Sequence, residues 1–261
     1  MNSIYIIFIC VFLIFIIKRS LYGTSYIENY TNTPLLDIKN TDVYVLYIPK
    51  REIYIKNIIN KLFLNPKYIR GVNKNELNKE KLIKNGIISK YWDESQKFNL
   101  GRTACHIGHI SILERFLSTD KKYALIYEDD IKVNLSNINT LKYKIKIILK
   151  NIPSDADIVY LSFCWEECDK MERVNSIFYK SYKPLCRHHY LVSQNGARII
   201  LNNTKLLKAP GDNTISNLIL NKKLVSYNVN PHFYAIRQNR EKLGSNLDNN
   251  SIYKICRNGK I

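Results

Sequence analysis

The sequence predicts an α/β fold with a largely parallel central sheet. Short apolar runs rich in β-branched and aromatic residues alternate with segments whose apolar residues recur at helical spacing. Three such runs, at residues 42–48, 123–127 and 157–163, lie between polar segments. Continuous apolar runs of this length are typical of strands buried on both faces, as in parallel sheets.

The elements are predicted in order from these runs. A strand at residues 42–48 is followed by a basic helical segment from Arg51 to Phe63 and a second strand near Tyr68 and Ile69, and residues 73–100 read as loop with short helices. The later elements are a helix at 103–117, a strand at 123–127, a helix at 141–149, a strand at 157–163, a strand at 190–193 with a helix at 194–201, and a helix at 214–220.

The first twenty residues are predicted to form an uncleaved membrane anchor. Every residue from Ile4 to Ile17 is apolar or aromatic, with Cys10 inside the run, and Lys18 and Arg19 follow at once. The run is shorter than the roughly 20 residues that a spanning helix prefers. However, it lacks the charged start and small-residue cleavage site of a signal peptide, and it is apolar on all sides, unlike a core helix. A single-pass membrane protein is therefore expected.

The rest of the chain divides into a polar stem at residues 21–41 and one globular domain at residues 42–261. With 40 Lys and Arg against 22 Asp and Glu, the formal net charge is +18. Such a charge suits nucleic acid, an anionic membrane surface or a phosphate-bearing substrate. Because the basic residues are dispersed and no nucleic-acid motif accompanies them, no nucleic-acid partner is expected.

The cysteines leave the redox compartment open. Cys164, Cys168, Cys186 and Cys256 could form disulfides or remain free thiols. With the histidine pair at 188–189, some of them could also form a small zinc site, although the spacing is not that of a standard structural zinc motif.

Three consecutive carboxylates, Glu128, Asp129 and Asp130, directly follow the apolar run at residues 123–127. In an open α/β sheet, ligands bind outside the carboxyl ends of the strands. Carboxylates placed there suit Mn²⁺ or Mg²⁺, which prefer oxygen ligands and can bridge a diphosphate. On this context alone, a solvated acidic turn is an equally good interpretation.

The chain resembles glycosyltransferase family 25, the family of the lipooligosaccharide and procollagen galactosyltransferases. The resemblance covers roughly residues 42–250, and its segments occur in the expected order: VYVLYIPKRE, GRTACHIGHISILERF, ALIYEDDI, DIVYLS, YLVSQNGARIIL, APGDNTI and PHFYAIRQNREKLGSNL. The resemblance implies an A-type glycosyltransferase (Rossmann-like) fold. Many eukaryotic glycosyltransferases face the lumen, whereas the positive-inside rule places the Lys-Arg pair after the anchor in the cytosol. The side of the membrane therefore stays open.

The resemblance also assigns roles near the first and third strands. Asp130, with Asp129 or Glu128, would hold Mn²⁺ or Mg²⁺ against the two phosphates of a nucleotide sugar. Arg51 matches a basic residue that approaches the nucleotide. Tyr47, which stands where the family usually has Asn, and Pro49 are assigned with it to donor binding, and the departure at this position leaves the donor sugar open.

Asp212 matches an acidic residue in a late segment of the family. Since the family is inverting, the reaction needs a base that deprotonates the acceptor hydroxyl, and Asp212 is the candidate. The competing interpretation is an N-cap for the helix that follows, a position that suits Asp.

Four further residues are expected to lie near the site in supporting roles. Cys105 and His109 match the family's Cys and His in the helix before the acidic strand. Tyr190 and Ser193 are expected to hold a strand-to-helix turn beside the site.

Taken together, the sequence predicts an inverting, metal-assisted enzyme that transfers galactose or glucose from a UDP-sugar to a glycan or protein hydroxyl. Two alternatives remain: a nucleotide-sugar hydrolase or inactive binding homologue, and a basic membrane-tethered module that binds nucleic acid or anionic lipid.

Overall fold

The computed structural model of the protein describes residues 34–91, 99–234, 236–243 and 256. The predicted anchor at 1–20 and most of the predicted stem lie outside the described residues. Within the described ranges, no helix combines the length and the apolar character that a membrane crossing requires.

The α/β prediction is confirmed. The described part of the chain contains these strands: β1 (Thr41–Tyr47), β2 (Lys67–Arg70), β3 (Tyr123–Glu128), β4 (Ile131–Lys132), β5 (Ile158–Ser162), β6 (Glu172–Arg173), β7 (Phe178–Lys180), β8 (His189–Ser193), β9 (Ser226–Val229) and β10 (Arg237–Gln238). Its α-helices are α1 (Glu52–Ile59), α2 (Lys79–Lys84), α3 (Asn99–Leu117), α4 (Ile138–Lys150), α5 (Gln194–Thr204), α6 (Gly211–Leu220) and α7 (Arg240–Leu243).

Eight strands form one mixed sheet in the order β2-β1-β3-β8-β5-β9-β7-β6. Strands β2, β1, β3, β5 and β9 run in the same direction, because β1 is parallel to β2 and β3, β9 is parallel to β5, and β8 is antiparallel to both β3 and β5. The prediction of a largely parallel sheet therefore describes these five strands. It misses β8, which runs against them in the middle of the sheet, and β7, which is antiparallel to β9.

Helices cover both faces of the sheet, which explains the continuous apolar runs. In β1, Val43 and Val45 pack in the cluster that contains α1 and α4, whereas Tyr44 and Leu46 pack in the cluster that contains α3, α5 and α6. Because successive side chains of a strand point to opposite faces, a strand covered on both sides needs apolar residues throughout.

The end of the predicted stem packs against this core. Leu36 is buried, its backbone N–H donates to the carbonyl of Leu62, and its carbonyl accepts from the N–H of Leu64. The folded part of the chain thus includes residues before β1.

Two disulfides anchor the segment between β5 and β8, residues 163–188. Cys164 pairs with Cys186, and Cys168 pairs with Cys256. The Cα–Cα separations of 5.7 and 5.3 Å lie in the usual range for disulfides. Of the three states that the sequence left open for these four cysteines, the structure shows the disulfide-bonded one.

Candidate active site

A cavity of about 700 Å³ opens at the carboxyl ends of β1, β2 and β3. This is the edge of a parallel sheet at which α/β proteins bind ligands. It is lined by backbone and side chains from the segments that follow these strands, from the start of α3 and from β10: Leu46 to Arg51, Arg70 to Glu76, Gly101, Ala104, Cys105, Glu128, Asp129, Asp130 and Gln238.

A buried ion pair forms one wall of this cavity. The 3-10 turn Pro49–Arg51, directly after β1, carries Arg51, which is only 4% exposed. Its Nη1 donates to Oδ1 of Asp129 at 2.9 Å and lies 3.7 Å from Oδ2 of Asp130. The backbone N–H of Ile48 donates to the other oxygen of Asp129 at 2.7 Å. Asp129 thereby fixes the turn after β1 to the turn after β3.

Asp130 faces the C-terminal part of the domain. Strand β10 pairs with β4 and brings Gln238 opposite Ile131. The amide Nε2 of Gln238 lies 3.3 and 3.2 Å from the two carboxylate oxygens of Asp130. Both side chains line the cavity.

Glu128 points away from the other two carboxylates, toward α3. Its Oε1 lies 2.9 Å from Nε2 of His109 and 3.5 Å from Sγ of Cys105. The other ring nitrogen of His109 lies 3.1 Å from the hydroxyl of Tyr190. The acidic triplet therefore divides its carboxylates between two different surroundings.

A second buried arginine holds Asp212. Arg187, which is 3% exposed, donates from Nε to Oδ1 of Asp212 at 2.5 Å. Its Nη2 lies 3.3 Å from Nδ1 of His106. The side chain of Asp212 remains 34% exposed, so the carboxylate is oriented by the arginine and still partly accessible to solvent.

Burial dominates the electrostatics around Glu128. Burial raises the pKa of Glu128. Burial also lowers the pKa of His109 well below its ordinary value, and the positive charge of Arg187 lowers the pKa of His109 further. The imidazole is therefore neutral. With Glu128 ionised, Nε2–H of His109 donates to the carboxylate, and Nδ1 accepts from the hydroxyl of Tyr190.

The two aspartates respond differently to burial. Desolvation raises the pKa of Asp129, although the N–H of Ile48 and the charge of Arg51 oppose it. Burial also acts to raise the pKa of Asp212, but there Arg187 outweighs it and holds the pKa below its usual value. Asp212 is consequently ionised at neutral pH.

The structure brings most of the residues predicted from the sequence to one edge of the sheet. Tyr47, Pro49, Arg51, Cys105 and the acidic triplet line the cavity, and His109 and Tyr190 stand behind Glu128. Asp212 does not line the cavity. Its helix α6 begins at Gly211, which makes Pro210 the N-cap residue, so the N-cap interpretation of Asp212 does not hold.

Ser193 lies at the end of the sheet away from the cavity, near the amino end of β3. This corrects the expectation that it stands beside the site. Because β8 is antiparallel to β3, Ser193 pairs with Tyr123 at the start of β3, while His189 pairs with Tyr127 near its end. Ser193 instead caps α5 by accepting from the N–H of Gly196. The turn into α5 is thus a structural element away from the cavity.

Sequence reasoning missed Arg187 and Gln238. Arg187 reaches the site through the antiparallel direction of β8, which no local pattern reveals. The one available signal was the position of a lone arginine between Cys186 and the histidine pair. Gln238 occurs in the C-terminal segment that carries the family resemblance, but its contact with Asp130 depends on the pairing of β10 with β4.

The donor atoms of this wall fit a hard divalent cation at Asp130. Its carboxylate lines the cavity, and oxygen ligands suit Mn²⁺ and Mg²⁺. Asp129 is engaged by Arg51 and by the N–H of Ile48. The carboxylate of Glu128 is engaged by His109. Asp130 is contacted by Gln238 and lies 3.7 Å from Arg51, so all three carboxylates of the triplet have protein partners.

The chain matches the model of glycosyltransferase family 25, described as an LPS biosynthesis protein, over residues 46–215. This range exceeds half of the chain and contains both arginines and the acidic triplet. No curated protein matches the chain. Among solved structures, the chain is similar to a glycosyltransferase involved in the glycosylation of the major capsid of PBCV-1, with 14% identity and a TM-score of 0.33. That similarity covers 62% of this chain and 66% of the other, slightly less than two thirds of its length.

Proposed function

Because the chain belongs to glycosyltransferase family 25, we propose that it transfers a hexose, galactose or glucose, from a UDP-sugar to an acceptor hydroxyl on a glycan or protein. The observation that carries the proposal is the cavity at the carboxyl ends of β1 to β3, which joins Arg51, Asp129 and Asp130 in one wall. We further propose that residues 1–20 tether the enzyme to a membrane.

The cavity suits the diphosphate of a nucleotide donor. Lys50, Arg70 and Lys74 supply positive charge around it, and basic side chains bind phosphate oxygens through charge-assisted hydrogen bonds. Asp130 would hold Mn²⁺ or Mg²⁺, which supplies charge neutralisation at the departing diphosphate when bound. The Arg51–Asp129 pair fixes the two loops that must hold their positions around the donor.

Asp212 is proposed as the general base of an inverting reaction. An inverting transfer requires the acceptor hydroxyl to lose a proton as it attacks the anomeric carbon. Asp212 is ionised, partly exposed and oriented by Arg187. A carboxylate in this state can accept that proton.

The test is transfer by the full chain from UDP-galactose or UDP-glucose, with Mn²⁺ or with a chelator. We expect Asp130→Ala to lower kcat/KM by about 100-fold or more, the size of effect seen when a preorganised electrostatic contact is removed. Asp120→Ala is the matched control, because Asp120 is a solvent-exposed aspartate outside the site. Mass spectrometry of the acceptor and NMR of the new anomeric proton give the readouts.

Three results would contradict parts of the proposal. Full metal-dependent activity in Asp130→Ala would remove Asp130 from the metal site. A product that keeps the donor's anomeric configuration would exclude inversion. Release of UDP without transfer across a broad acceptor panel would favour the hydrolase or binding homologue.

A further inference from the structure

A cysteine, a histidine and a glutamate meet beside the cavity. Cys105 and His109 lie one turn apart on the same face of α3, and Glu128 ends β3. Sγ of Cys105, a ring nitrogen of His109 and a carboxylate oxygen of Glu128 all lie within 4.8 Å of one another. Among the described residues, Cys105 is the cysteine that forms no disulfide.

Two of the three separations among these atoms are close to the edges of a zinc tetrahedron. With Zn–N and Zn–O near 2.0 Å and Zn–S near 2.3 Å, tetrahedral ligands are separated by about 3.3–3.6 Å. The observed separations are 2.9 Å from His109 to Glu128 and 3.5 Å from Cys105 to Glu128. Shifts of a few tenths of an ångström would bring these two pairs to that spacing.

We propose that Cys105, His109 and Glu128 bind a zinc ion, with the fourth coordination position open to the cavity. Three protein ligands and one open position are the usual arrangement of a reactive zinc site. Cys105 and Glu128 both line the cavity, so solvent and the ion have a path to the site. The proposal assigns Glu128 to a cation other than the one proposed for Asp130.

The surroundings of His109 match those of a metal ligand. A zinc-bound histidine donates its other ring N–H to a fixed acceptor. Here the hydroxyl of Tyr190 lies 3.1 Å from Nδ1 of His109, and with zinc on Nε2, the Nδ1–H group donates to it. Tyr190 is fully buried between strands β3 and β5, so its hydroxyl is held in place.

The chemistry of the ligand set selects zinc over manganese or magnesium. A thiolate and an imidazole are ligands for borderline-soft ions, whereas Mn²⁺ and Mg²⁺ prefer oxygen. When zinc binds, the thiol of Cys105 loses its proton to solvent and the sulfur bonds to the metal. A second group of suitable type, Cys164, Cys186 and His188, differs in that its two sulfurs are joined to each other.

The experiment measures metal binding by the full chain without reference to catalysis. Protein purified from zinc-supplemented medium and dialysed against metal-free buffer is analysed for zinc by mass spectrometry. We expect about one zinc per chain, and at least a 100-fold rise in the zinc dissociation constant for both Cys105→Ser and His109→Asn. Tyr190→Phe should weaken binding by about 10-fold, the lower end for loss of a partner that orients a metal-bound histidine.

Cobalt substitution gives a second readout that does not depend on the variants folding. Co²⁺ added to the unaltered protein should give tetrahedral visible bands and a near-ultraviolet sulfur-to-cobalt band. His232→Gln is the control, because this histidine is exposed and outside the cluster, and it should bind zinc like the unaltered chain. Less than about a tenth of a zinc per chain, no sulfur-to-cobalt band, or equal affinity in Cys105→Ser would overturn the proposal. Since the readout is metal content, an inactive enzyme with a full zinc site would count against the proposed function alone.

Discussion

At the residue scale, two buried arginines each hold one carboxylate at the edge of the sheet. Arg51 is bonded to Asp129, and Arg187 is bonded to Asp212. A buried ion pair contributes little net stability, but removing one partner leaves an uncompensated charge. We interpret both ion pairs as positioning carboxylates and loops. The Arg187–Asp212 pair also leads to a prediction about how kcat/KM depends on pH.

Arg187→Gln should move the acid limb of the kcat/KM profile to higher pH. In the folded protein Arg187 depresses the pKa of Asp212, and without it burial would raise that pKa. Asp212 would then become protonated at a higher pH, and a protonated carboxyl cannot act as the base. The measurement is kcat/KM against pH for Arg187→Gln and for Arg198→Gln, an arginine on α5 outside the cluster. Profiles with the same acid limb would show that Asp212 is not the base.

The same pair predicts how stability depends on pH. Since the folded pKa of Asp212 is depressed, its stabilising contribution is present above the ordinary carboxyl pKa of about 3.9 and is lost as pH falls through the lower folded value. In Arg187→Gln this contribution should be absent.

At the element scale, the direction of β8 decides which residues reach the site. Strands β1, β3 and β5 were predictable because burial on both faces makes their sequences apolar throughout. The direction of β8 could not be predicted, because the apolar pattern of its sequence, HYLVS, fits a parallel and an antiparallel strand equally well. For this reason the sequence did not indicate that Arg187 lies at the site, and it placed Ser193 there wrongly. Strand β9 was missed because its buried Asn228 is polar, and the partners to which its side chain donates, Glu166 and Met171, are distant in sequence.

The packing of α5 against the sheet makes a further prediction. A Cβ at Gly196 would overlap the backbone carbonyl of Asp157, which cannot move without disturbing the start of β5. We expect Gly196→Ala to lower the free energy of unfolding by about 1–3 kcal/mol, the usual cost of overpacking. Gly108→Ala, on α3, should cost less, because the atoms nearest to its Cβ would belong to the side chain of Leu46, which can move more easily than backbone. Urea denaturation measures both variants, and equal costs would contradict the argument.

At the scale of the whole molecule, the Cys164–Cys186 disulfide links the end of β5 to the loop that carries Arg187. Its sequence separation is 22. Closing a loop of this size stabilises a fold by about 3 kcal/mol in the chain-entropy account. Cys186 also has a positive φ of 72°, an uncommon conformation for a residue other than glycine, and Arg187 follows it directly.

Replacing both cysteines by serine should therefore lower the free energy of unfolding by about 3 kcal/mol and reduce transfer more than donor binding, because Arg187 would no longer be held against Asp212. Denaturation and the separate measurement of kcat and KM test this. Unchanged kcat in the stable fraction would show that the loop keeps Arg187 in place without the cross-link.

The strand order has one more consequence, for self-association. An open sheet exposes unpaired backbone groups along its outermost strands, and a second copy of the chain can pair with them. Here β2 and β6, at the two ends of the order, have four residues and two. Both carry charged side chains: Lys67 and Arg70 on one, Glu172 and Arg173 on the other. Short, charged borders of this kind oppose edge-to-edge aggregation, and the net charge of +18 adds long-range repulsion between molecules.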